Sequence, residues 1–355
     1  MTAVLRVALV GCGRIGMRTP DRLRETVPPG WIPVAHAEAV RSTPGLELVA
    51  ACDQLPEVAQ RAGQELGVTA FTDYRRMIER ERPDIVSIAT RTQGRCDIVE
   101  FAAAAKVRGL HIEKPLGSSP ADCRRAMAAL EKAGAVLTYG ATRRWMEVFQ
   151  QAKRRAEGGE IGALQQLTIE FGRAALLWTH AHSFDLIAWF GSGQGAASVQ
   201  ASCRIEPAAV QGRTIDADPL VEGALVGFEA GLNAAITGAG GLTVRLSGER
   251  GTLAIEADGA RLVRLQRAHA DRPSYGEAER IPFAPRLSGT QGAFAALRDA
   301  VHGKGPTGTS PAQVMLANLL GFACAWSSLQ GGRRVTLDEI PDDLTITGRQ
   351  GNNFA

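Results

Sequence analysis

The chain has 355 residues, of which 45 % are hydrophobic and 22 % charged, so it is long and apolar enough for two globular domains with sizeable cores. The formal net charge is only +3, and lysine and arginine form no block of like charges, which argues against a nucleic-acid-binding surface. The six cysteines are scattered without a C-x-x-C pair, which favours reduced thiols in a cytoplasmic protein over disulfides or zinc ligands. The N-terminus lacks the layout of a signal peptide, and we expect no membrane helix, which needs roughly 20 apolar residues.

The first part of the chain alternates between short apolar runs and helical patterns. One helix is predicted to begin at Ser119-Pro120, with Cys123, Met127 and Leu130 on its apolar face and Gly134 after its end. Alternation of this kind predicts a doubly wound parallel sheet covered on both faces. The apolar runs that we expect to form its strands are 5–10, 46–52, 84–90, 110–112 and 135–140.

The first predicted strand runs directly into Gly11-Cys12-Gly13-Arg14-Ile15-Gly16. This is the G-x-G-x-x-G pattern in the strand-to-helix position where it indicates dinucleotide binding. Gly11 is expected to permit the tight turn, Gly13 the close approach of a pyrophosphate, and Gly16 the packing of helix on strand. The sequence therefore predicts a Rossmann domain over residues 1–141.

An acidic residue should close the second strand and hold the adenosine ribose. Asp53 does so, followed by Gln54, but it lies farther from Gly16 than usual because the proline-rich segment 17–33 is inserted. We expect Asp53 to favour NAD over NADP, because a carboxylate repels a 2′-phosphate. The alternative for Asp53 is a helix N-cap. The insert is interpreted either as a flap near the cofactor cleft or as a surface excursion without a role.

The pattern changes after about residue 141. Alternating runs separated by turn signals predict an antiparallel sheet with one covered face, and two helical stretches follow near 290–303 and 311–328. Residues 142–355 are therefore predicted to form an α+β domain with a large, mostly antiparallel open sheet. The predicted strands lie at 164–173, 197–205, 221–229, 231–237, 242–247, 252–256 and 260–267.

These features together resemble the glucose–fructose oxidoreductase / inositol dehydrogenase family, which also includes rhizopine catabolism proteins. The resemblance rests on GCGRIG, on Asp53, on the segments 142–164 and 246–259, and above all on Glu113-Lys114-Pro115. It implies an NAD(P)-dependent dehydrogenase or reductase of sugars, cyclitols or related polyols. It also implies that the C-terminal domain binds substrate and forms homodimers or homotetramers through its sheet.

The resemblance further implies roles for the Glu-Lys-Pro segment and for LWTHAHSFD, residues 177–185. Glu113 is expected near the nicotinamide ribose, and Lys114 at the reacting hydroxyl, where it relays a proton. A cis bond before Pro115 is frequent in this family. His182 takes the family's histidine place and is the favoured general acid or base, because an imidazole titrates near neutrality. A surface lysine is the alternative for Lys114.

The rest of LWTHAHSFD is expected to line the substrate site. Trp178 stands where the family often has a sugar-binding aspartate, and it is either a stacking platform or a core aromatic. His180 is interpreted as a neighbour in the pocket. Asp185 is expected to orient His182 or to cap the helix. A zinc site at His180 and His182 finds no third ligand of suitable spacing, so no metal is expected.

Three further residues are assigned to ligand binding. Thr90 and Arg91 follow a parallel strand at the edge where such folds bind ligands, and Arg91 is expected to contact substrate or cofactor pyrophosphate, with a solvent-facing arginine as the alternative. Arg144 is aligned with a family arginine and either lines the cleft or forms a structural ion pair. The departures from the family leave two rivals to a dehydrogenase. One is an enzyme that retains NAD and cleaves or epimerises a glycoside, and the other is a non-catalytic sensor.

Overall fold

The structure is a computed structural model that describes residues 3–269 and 274–348. Its N-terminal part is a parallel sheet of six strands in the order β3-β2-β1-β4-β5-β6. This is the strand order of a dinucleotide-binding Rossmann fold, so the prediction is confirmed. The strands are β1 (Leu5–Val10), β2 (Leu46–Cys52), β3 (Thr69–Phe71), β4 (Ile85–Ile88), β5 (Gly109–Ile112) and β6 (Val136–Tyr139).

Helices cover both faces of this sheet. The last of them begins as the sequence predicts, since the Ser119 side chain accepts a hydrogen bond from the backbone N–H of Asp122 and Pro120 occupies the first turn. Gly134 ends it in the left-handed conformation, at φ +65°. The helices are α1 (Arg14–Met17), α2 (Asp21–Thr26), α3 (His36–Ser42), α4 (Pro56–Leu66), α5 (Tyr74–Glu81), α6 (Arg95–Ala104) and α7 (Pro120–Ala133).

The inserted segment 17–33 separates α1 from α3 and contains α2. Its inner side is fixed by Thr19, which is fully buried and whose hydroxyl accepts hydrogen bonds from the N–H groups of Val34 and Ala35. The segment also contacts the C-terminal part of the chain, because the carbonyl of Pro33 accepts a hydrogen bond from the Ser288 hydroxyl at 2.7 Å. The insert therefore contacts both domains, and the choice between a flap near the cofactor cleft and a surface excursion without a role stays a prediction.

The second sheet follows the order β17-β16-β15-β14-β7-β13-β12-β9-β18, with β8 paired to β12. Strands β13 and β7 pair in parallel, and the other neighbours pair antiparallel, which confirms a large, mostly antiparallel sheet. Its strands are β7 (Leu164–Phe171), β8 (Ala174–Ala175), β9 (Ala196–Arg204), β12 (Leu220–Phe228), β13 (Asn233–Ile236), β14 (Gly240–Gly248), β15 (Gly251–Glu256), β16 (Arg261–Gln266), β17 (Glu279–Ile281) and β18 (Val335–Thr336). A small third sheet joins β10 (Val210–Gln211), β11 (Thr214–Ile215) and β19 (Thr345–Ile346).

Four helices accompany the second sheet: α8 (Glu147–Glu157), α9 (His180–Phe190), α10 (Gly289–Val301) and α11 (Pro311–Leu329). Helices α9 and α11 pack against each other, and α11 packs on β9. Helix α10 instead returns to the first sheet, where Phe294 and Leu297 are fully buried. A Cβ on Gly109 would lie 2.8 Å from Val301 of α10, so the absence of a side chain there permits this close packing.

Helix α11 contradicts the expectation that no segment is long and apolar enough to span a membrane. Its 19 residues, Pro311–Leu329, are long and apolar enough to cross a membrane by length and composition, and 56 % of its most apolar window is buried within the structure. Because α9, β9 and α7 pack against it, a core helix accounts for its composition.

Candidate functional site

The glycine loop lies between β1 and α1 and has the geometry that its motif predicts. Gly11 adopts φ +94°, and a Cβ there would lie 2.7 Å from the carbonyl carbon of Ala89. A Cβ on Gly16 would lie 2.1 Å from the carbonyl oxygen of Gly11. Both positions therefore require glycine, the first for the turn and the second for close packing. Gly13 is the N-cap of α1, a helix of four residues that contains Arg14 and Ile15.

Asp53 follows β2 and ties the glycine loop to that strand. Its Oδ2 accepts a hydrogen bond from the N–H of Cys12 at 2.9 Å, and its Oδ1 accepts one from the N–H of Leu55 at 3.1 Å. The N-cap of α4 is Leu55 and not Asp53, so the capping alternative is wrong. Asp53 is half-buried and Gln54 is exposed beside it, which leaves both at the edge of the loop.

Thr90 and Arg91 follow β4 and face the same loop. The Oγ1 atom of Thr90 is buried and has no hydrogen-bond partner among the described residues. The pKa of Arg14 is lowered, mainly by burial and further by the positive charges of Arg22 and Arg91. Arg22 belongs to the insert, so three cations from separate segments lie around the glycine loop.

Arg95, which the sequence reasoning missed, fastens the ends of β4 and β5 together. It is 2 % exposed, and its guanidinium donates to the carbonyl of Glu113 at 2.7 Å and to the carbonyls of Thr90 and Pro115. Arg95 thereby fixes the backbone on both sides of Lys114.

Glu113 is buried, and both of its carboxylate oxygens accept hydrogen bonds. Oε1 lies 3.2 Å from Nε2 of His36, and Oε2 accepts the backbone N–H of Lys114 at 3.1 Å. Burial by itself raises the pKa of Glu113, but the His36 hydrogen bond and the charges of His36, Lys114 and Arg95 lower that pKa to about 2. The carboxylate is therefore ionised at neutral pH and holds Lys114. Its contact with the nicotinamide ribose stays a prediction.

His36 is itself held in place, because its Nδ1 lies 2.8 Å from the hydroxyl of Ser87. The ring of His111 lies next to it. One ring nitrogen of His36, one ring nitrogen of His111 and one carboxylate oxygen of Glu113 all lie within 4.8 Å of one another. Nδ1 of His111 lies 2.9 Å from the Thr138 hydroxyl. This group is a buried polar network behind the Glu-Lys-Pro turn, and the sequence reasoning did not single out His36 or His111.

Lys114 reaches from the end of β5 to the second domain. The bond between Lys114 and Pro115 is cis, as the resemblance implies. Its Nζ donates to the carbonyl of Trp178 at 3.0 Å and lies 4.3 Å from the centre of the indole ring. Burial lowers the pKa of Lys114, against the opposing charge of Glu113. Lys114 is therefore not a surface lysine, and its amine packs against one face of the Trp178 indole ring.

His182 lies in the first turn of α9 and is half-buried. Its pKa lies well below 6.5, mainly because of burial and further because of the charges of Arg143, Lys114 and His180. Its Nδ1 is buried without a hydrogen-bond partner among the described residues, so no side chain there orients the ring. The imidazole is neutral at pH 7, and the expectation that it titrates near neutrality is wrong.

Three predicted substrate contacts are structural residues instead. Arg144 and Asp185 are fully buried and form an ion pair, with Nε 3.0 Å from Oδ2, while Nη1 of Arg144 donates to Gln313 at 2.9 Å. Asp185 therefore neither orients His182 nor caps α9. His180 is also buried, and its ring nitrogens lie 3.0 Å from the Ser183 hydroxyl and 3.2 Å from the Gly172 carbonyl. These residues correct the predicted site, since their polar atoms already have partners inside the protein.

Comparison with known proteins supports the resemblance. Residues 5–141 match a family model described as an oxidoreductase family with an NAD-binding Rossmann fold. A D-apiose dehydrogenase from Paraburkholderia graminis is 35 % identical over 134 residues, which are 38 % of this chain and 36 % of that protein. The scyllo-inositol 2-dehydrogenase (NAD(+)) of Bacillus subtilis is 30 % identical over 159 residues, which are 44 % and 42 % of the two chains. The matched segments thus span less than half of these relatives' own length.

Solved structures extend the likeness of fold to nearly the whole chain. An oxidoreductase from Agrobacterium radiobacter in complex with NAD+, L-tartaric acid and magnesium has a TM-score of 0.72 at 20 % identity, with 96 % of this chain and 100 % of that chain covered. An NAD binding oxidoreductase from Klebsiella pneumoniae has a TM-score of 0.75 at 19 % identity, with 95 % and 99 % covered. Over residues 5–141, the chain is therefore similar to an oxidoreductase family with an NAD-binding Rossmann fold, and the solved structures extend the likeness of fold to the rest of the chain.

Proposed function

We propose that the protein is an NAD-dependent oxidoreductase that transfers a hydride between nicotinamide and a secondary hydroxyl or ketone of a sugar, cyclitol or glycoside. The observation that carries the proposal is the position of Lys114. Lys114 follows β5 at the carboxyl end of the strand, where Rossmann folds bind their ligand. Its amine donates a hydrogen bond to the Trp178 carbonyl of the second domain. The names of the relatives, D-apiose dehydrogenase and inositol dehydrogenases, support the substrate class.

The residues around the glycine loop fit an NAD molecule. Gly11 and Gly16 hold the shape of the loop, and Gly13 is expected to let the backbone approach a pyrophosphate, whose charge Arg14 and Arg91 complement. The buried, unpartnered Oγ1 of Thr90 is a polar atom that a ligand at this strand end satisfies. Asp53 and Gln54 follow β2, where the adenosine ribose is expected to bind, and Ile15 is part of the glycine loop. The carboxylate of Asp53 favours NAD over NADP.

We assign Lys114 as the group that accepts the proton of the substrate hydroxyl. NAD, when bound, would supply the hydride acceptor, and oxidation of the substrate also requires that the hydroxyl oxygen on the oxidised carbon lose its proton to a residue of the protein. Lys114 is the group whose pKa is lowered toward neutrality, and Glu113 and Arg95 fix its backbone. His182, neutral at pH 7, is suited to hydrogen-bond the substrate hydroxyl and not to titrate. Trp178 forms the wall next to Lys114.

The test is a panel of sugars, cyclitols and glycosides incubated with NAD⁺, with NADH formation read by absorbance. We expect NADH to accumulate with at least one member and no comparable signal with NADP⁺. Product formation without net NADH accumulation would favour the enzyme that retains its cofactor. Binding of NADH, measured by fluorescence titration, without turnover of any member would favour the sensor. Failure to bind NADH would contradict all three.

We also propose a cytoplasmic enzyme that pairs through the outer face of the large sheet. All six cysteines are free thiols, which suits a reducing compartment. On β12 the side chain of Leu225 is 56 % exposed, an apolar residue on a sheet face that the helices leave uncovered. Gel filtration with light scattering reports whether the chain is a homodimer, a homotetramer or a monomer.

A further inference from the structure

Arg143 is a buried arginine at the domain junction with one nitrogen left unpaired. Its Nε and Nη2 donate to the two carboxylate oxygens of Asp258 at 2.8 and 2.9 Å. Its Nη1 is buried and has no hydrogen-bond partner among the described residues, and the whole side chain is 8 % exposed. A buried donor without a partner costs about 1–3 kcal/mol, so this nitrogen calls for an explanation.

Two aromatic rings fix the direction of this guanidinium. The ring of Trp31 lies 4.7 Å from the guanidinium carbon and the ring of Phe171 lies 4.8 Å from it. Trp31 belongs to the insert 17–33, and its Nε1 donates to the Asp258 carbonyl at 2.8 Å. Phe171 ends β7, next to Gly172, whose carbonyl accepts from His180. Insert, ion pair and sheet thus hold Arg143 in one orientation.

Arg143 acts electrostatically on the two residues assigned to the chemistry, and its neighbour Phe171 precedes Gly172, whose carbonyl accepts from His180, two positions before His182. After burial, its positive charge is the next cause that lowers the pKa of His182, and it also contributes to the lowered pKa of Lys114. The insert therefore supports a residue of the reaction site through Trp31.

The carboxylates around this cluster already accept hydrogen bonds from the protein. They are the carboxylates that pair with, or act electrostatically on, Lys114 or Arg143: Glu113 accepts from His36 and the Lys114 N–H, Asp185 from Arg144, Asp218 from the N–H groups of Leu177 and Trp178, and Asp258 from Arg143. The Lys114 amine donates to the Trp178 carbonyl and can donate further, and Nη1 of Arg143 has no partner among the described residues. A site of this kind suits a ligand rich in acceptors, and a carboxylate is the strongest partner for a guanidinium.

We propose that Nη1 of Arg143, held by Trp31 and Asp258, donates to the carboxylate of a sugar acid, an aldonate or a uronate, in the substrate site. This inference rests on the proposed function and narrows its substrate class. It also makes the insert a fixed wall of the substrate site.

The test is calorimetric binding of matched acid and neutral ligands to the protein loaded with NADH. The pairs are D-galacturonate with D-galactose, D-glucuronate with D-glucose, and D-gluconate with D-glucitol. We expect at least one acid to bind more tightly than its neutral partner by about 10-fold or more, the range of a hydrogen bond to a charged group. Binding is measured without turnover, so the result does not depend on the dehydrogenase reaction.

Arg143→Lys keeps the charge and an ion pair with Asp258 but removes the fork that carries Nη1. We expect it to lose about 10-fold in acid affinity, while neutral-ligand and NADH affinities stay within twofold. Arg154→Lys on α8, an exposed ion pair with Glu147, is the matched control and should change nothing. Trp31→Ala leaves the Arg143–Asp258 pair in place and should also weaken acid binding, which provides a second variant if Arg143→Lys does not fold.

Acids that bind no more tightly than their neutral partners, or bind not at all, would overturn the inference. So would an acid preference that survives in both variants. The proposed function fails separately, if acids bind in the expected way and yet neither the bound acids nor any member of the panel reduces NAD⁺. Turnover of neutral polyols without acid preference overturns this inference alone.

Discussion

Lys114 and His182 share surroundings that move both pKa values downward. For an imidazole this shift favours the neutral form, and for an amine it favours the unprotonated form relative to an exposed lysine. Because Lys114 also lies at the strand end where Rossmann folds bind their ligand, we propose it as the proton acceptor. Sequence alone ranked His182 first because an isolated imidazole titrates near neutrality. Burial, which is invisible in a single sequence, removes that argument for His182.

The Arg144–Asp185 pair is a structural element, and stability measurements separate it from a substrate contact. We expect Asp185→Asn to lower the free energy of unfolding by about 3–5 kcal/mol, because it leaves the Arg144 charge buried without its partner. Urea denaturation measures this change. Asp343→Asn is the control, since Asp343 pairs with Arg213 in an exposed position where solvent screens the interaction. Unchanged stability with a raised KM would return Asp185 to the substrate site.

At the scale of elements, helix α10 is the part of the C-terminal sequence that completes the Rossmann core. We expect Leu297→Ala to lower the free energy of unfolding by about 2–5 kcal/mol, because Leu297 is fully buried against the first sheet. Leu287→Ala, at a leucine 42 % exposed just before α10, is the matched control and should cost little. Equal effects of the two substitutions on the denaturation midpoint would show that α10 contributes no core there.

Elements whose signals are local were predictable from the sequence. The glycine loop, five of the six strands of the first sheet and the caps of α7 each depend on residues close together in the chain, and the structure confirms them; the short edge strand β3 was not predicted. The partners of Glu113 and Arg143 were not predictable in this way. His36 and Glu113 are 77 positions apart, and Arg143 and Asp258 are 115 apart, so only the folded chain brings them together.

The insert shows the same limit. Its prolines predict the break between α1 and α3, but its contacts lie across the domain junction and leave no local pattern. Trp31 is an ordinary aromatic residue in the sequence. In the structure it packs on Arg143 and donates to the Asp258 carbonyl.

At the scale of the whole molecule, the proposed site lies where the N-terminal and C-terminal parts of the chain meet. The Rossmann domain supplies the glycine loop, Asp53 and Lys114, and the second domain supplies Trp178 and His182. The insert and α10 cross the junction in opposite directions and hold the two domains together. Hydride transfer needs cofactor and substrate at this junction, with a proton acceptor between them.

The most direct test of this account is the pH dependence of kcat for alcohol oxidation in the wild type and in Lys114→Met, with a substrate that the panel identifies. Lys114 acts as a base only when unprotonated, so kcat should rise with pH through its pKa, which burial places below the ordinary value of 10.5. Lys114→Met should lose this limb and about 10²–10⁴-fold in kcat, with NADH affinity preserved. A Lys114→Met variant that keeps both the rate and the pH limb of the wild type would contradict the account.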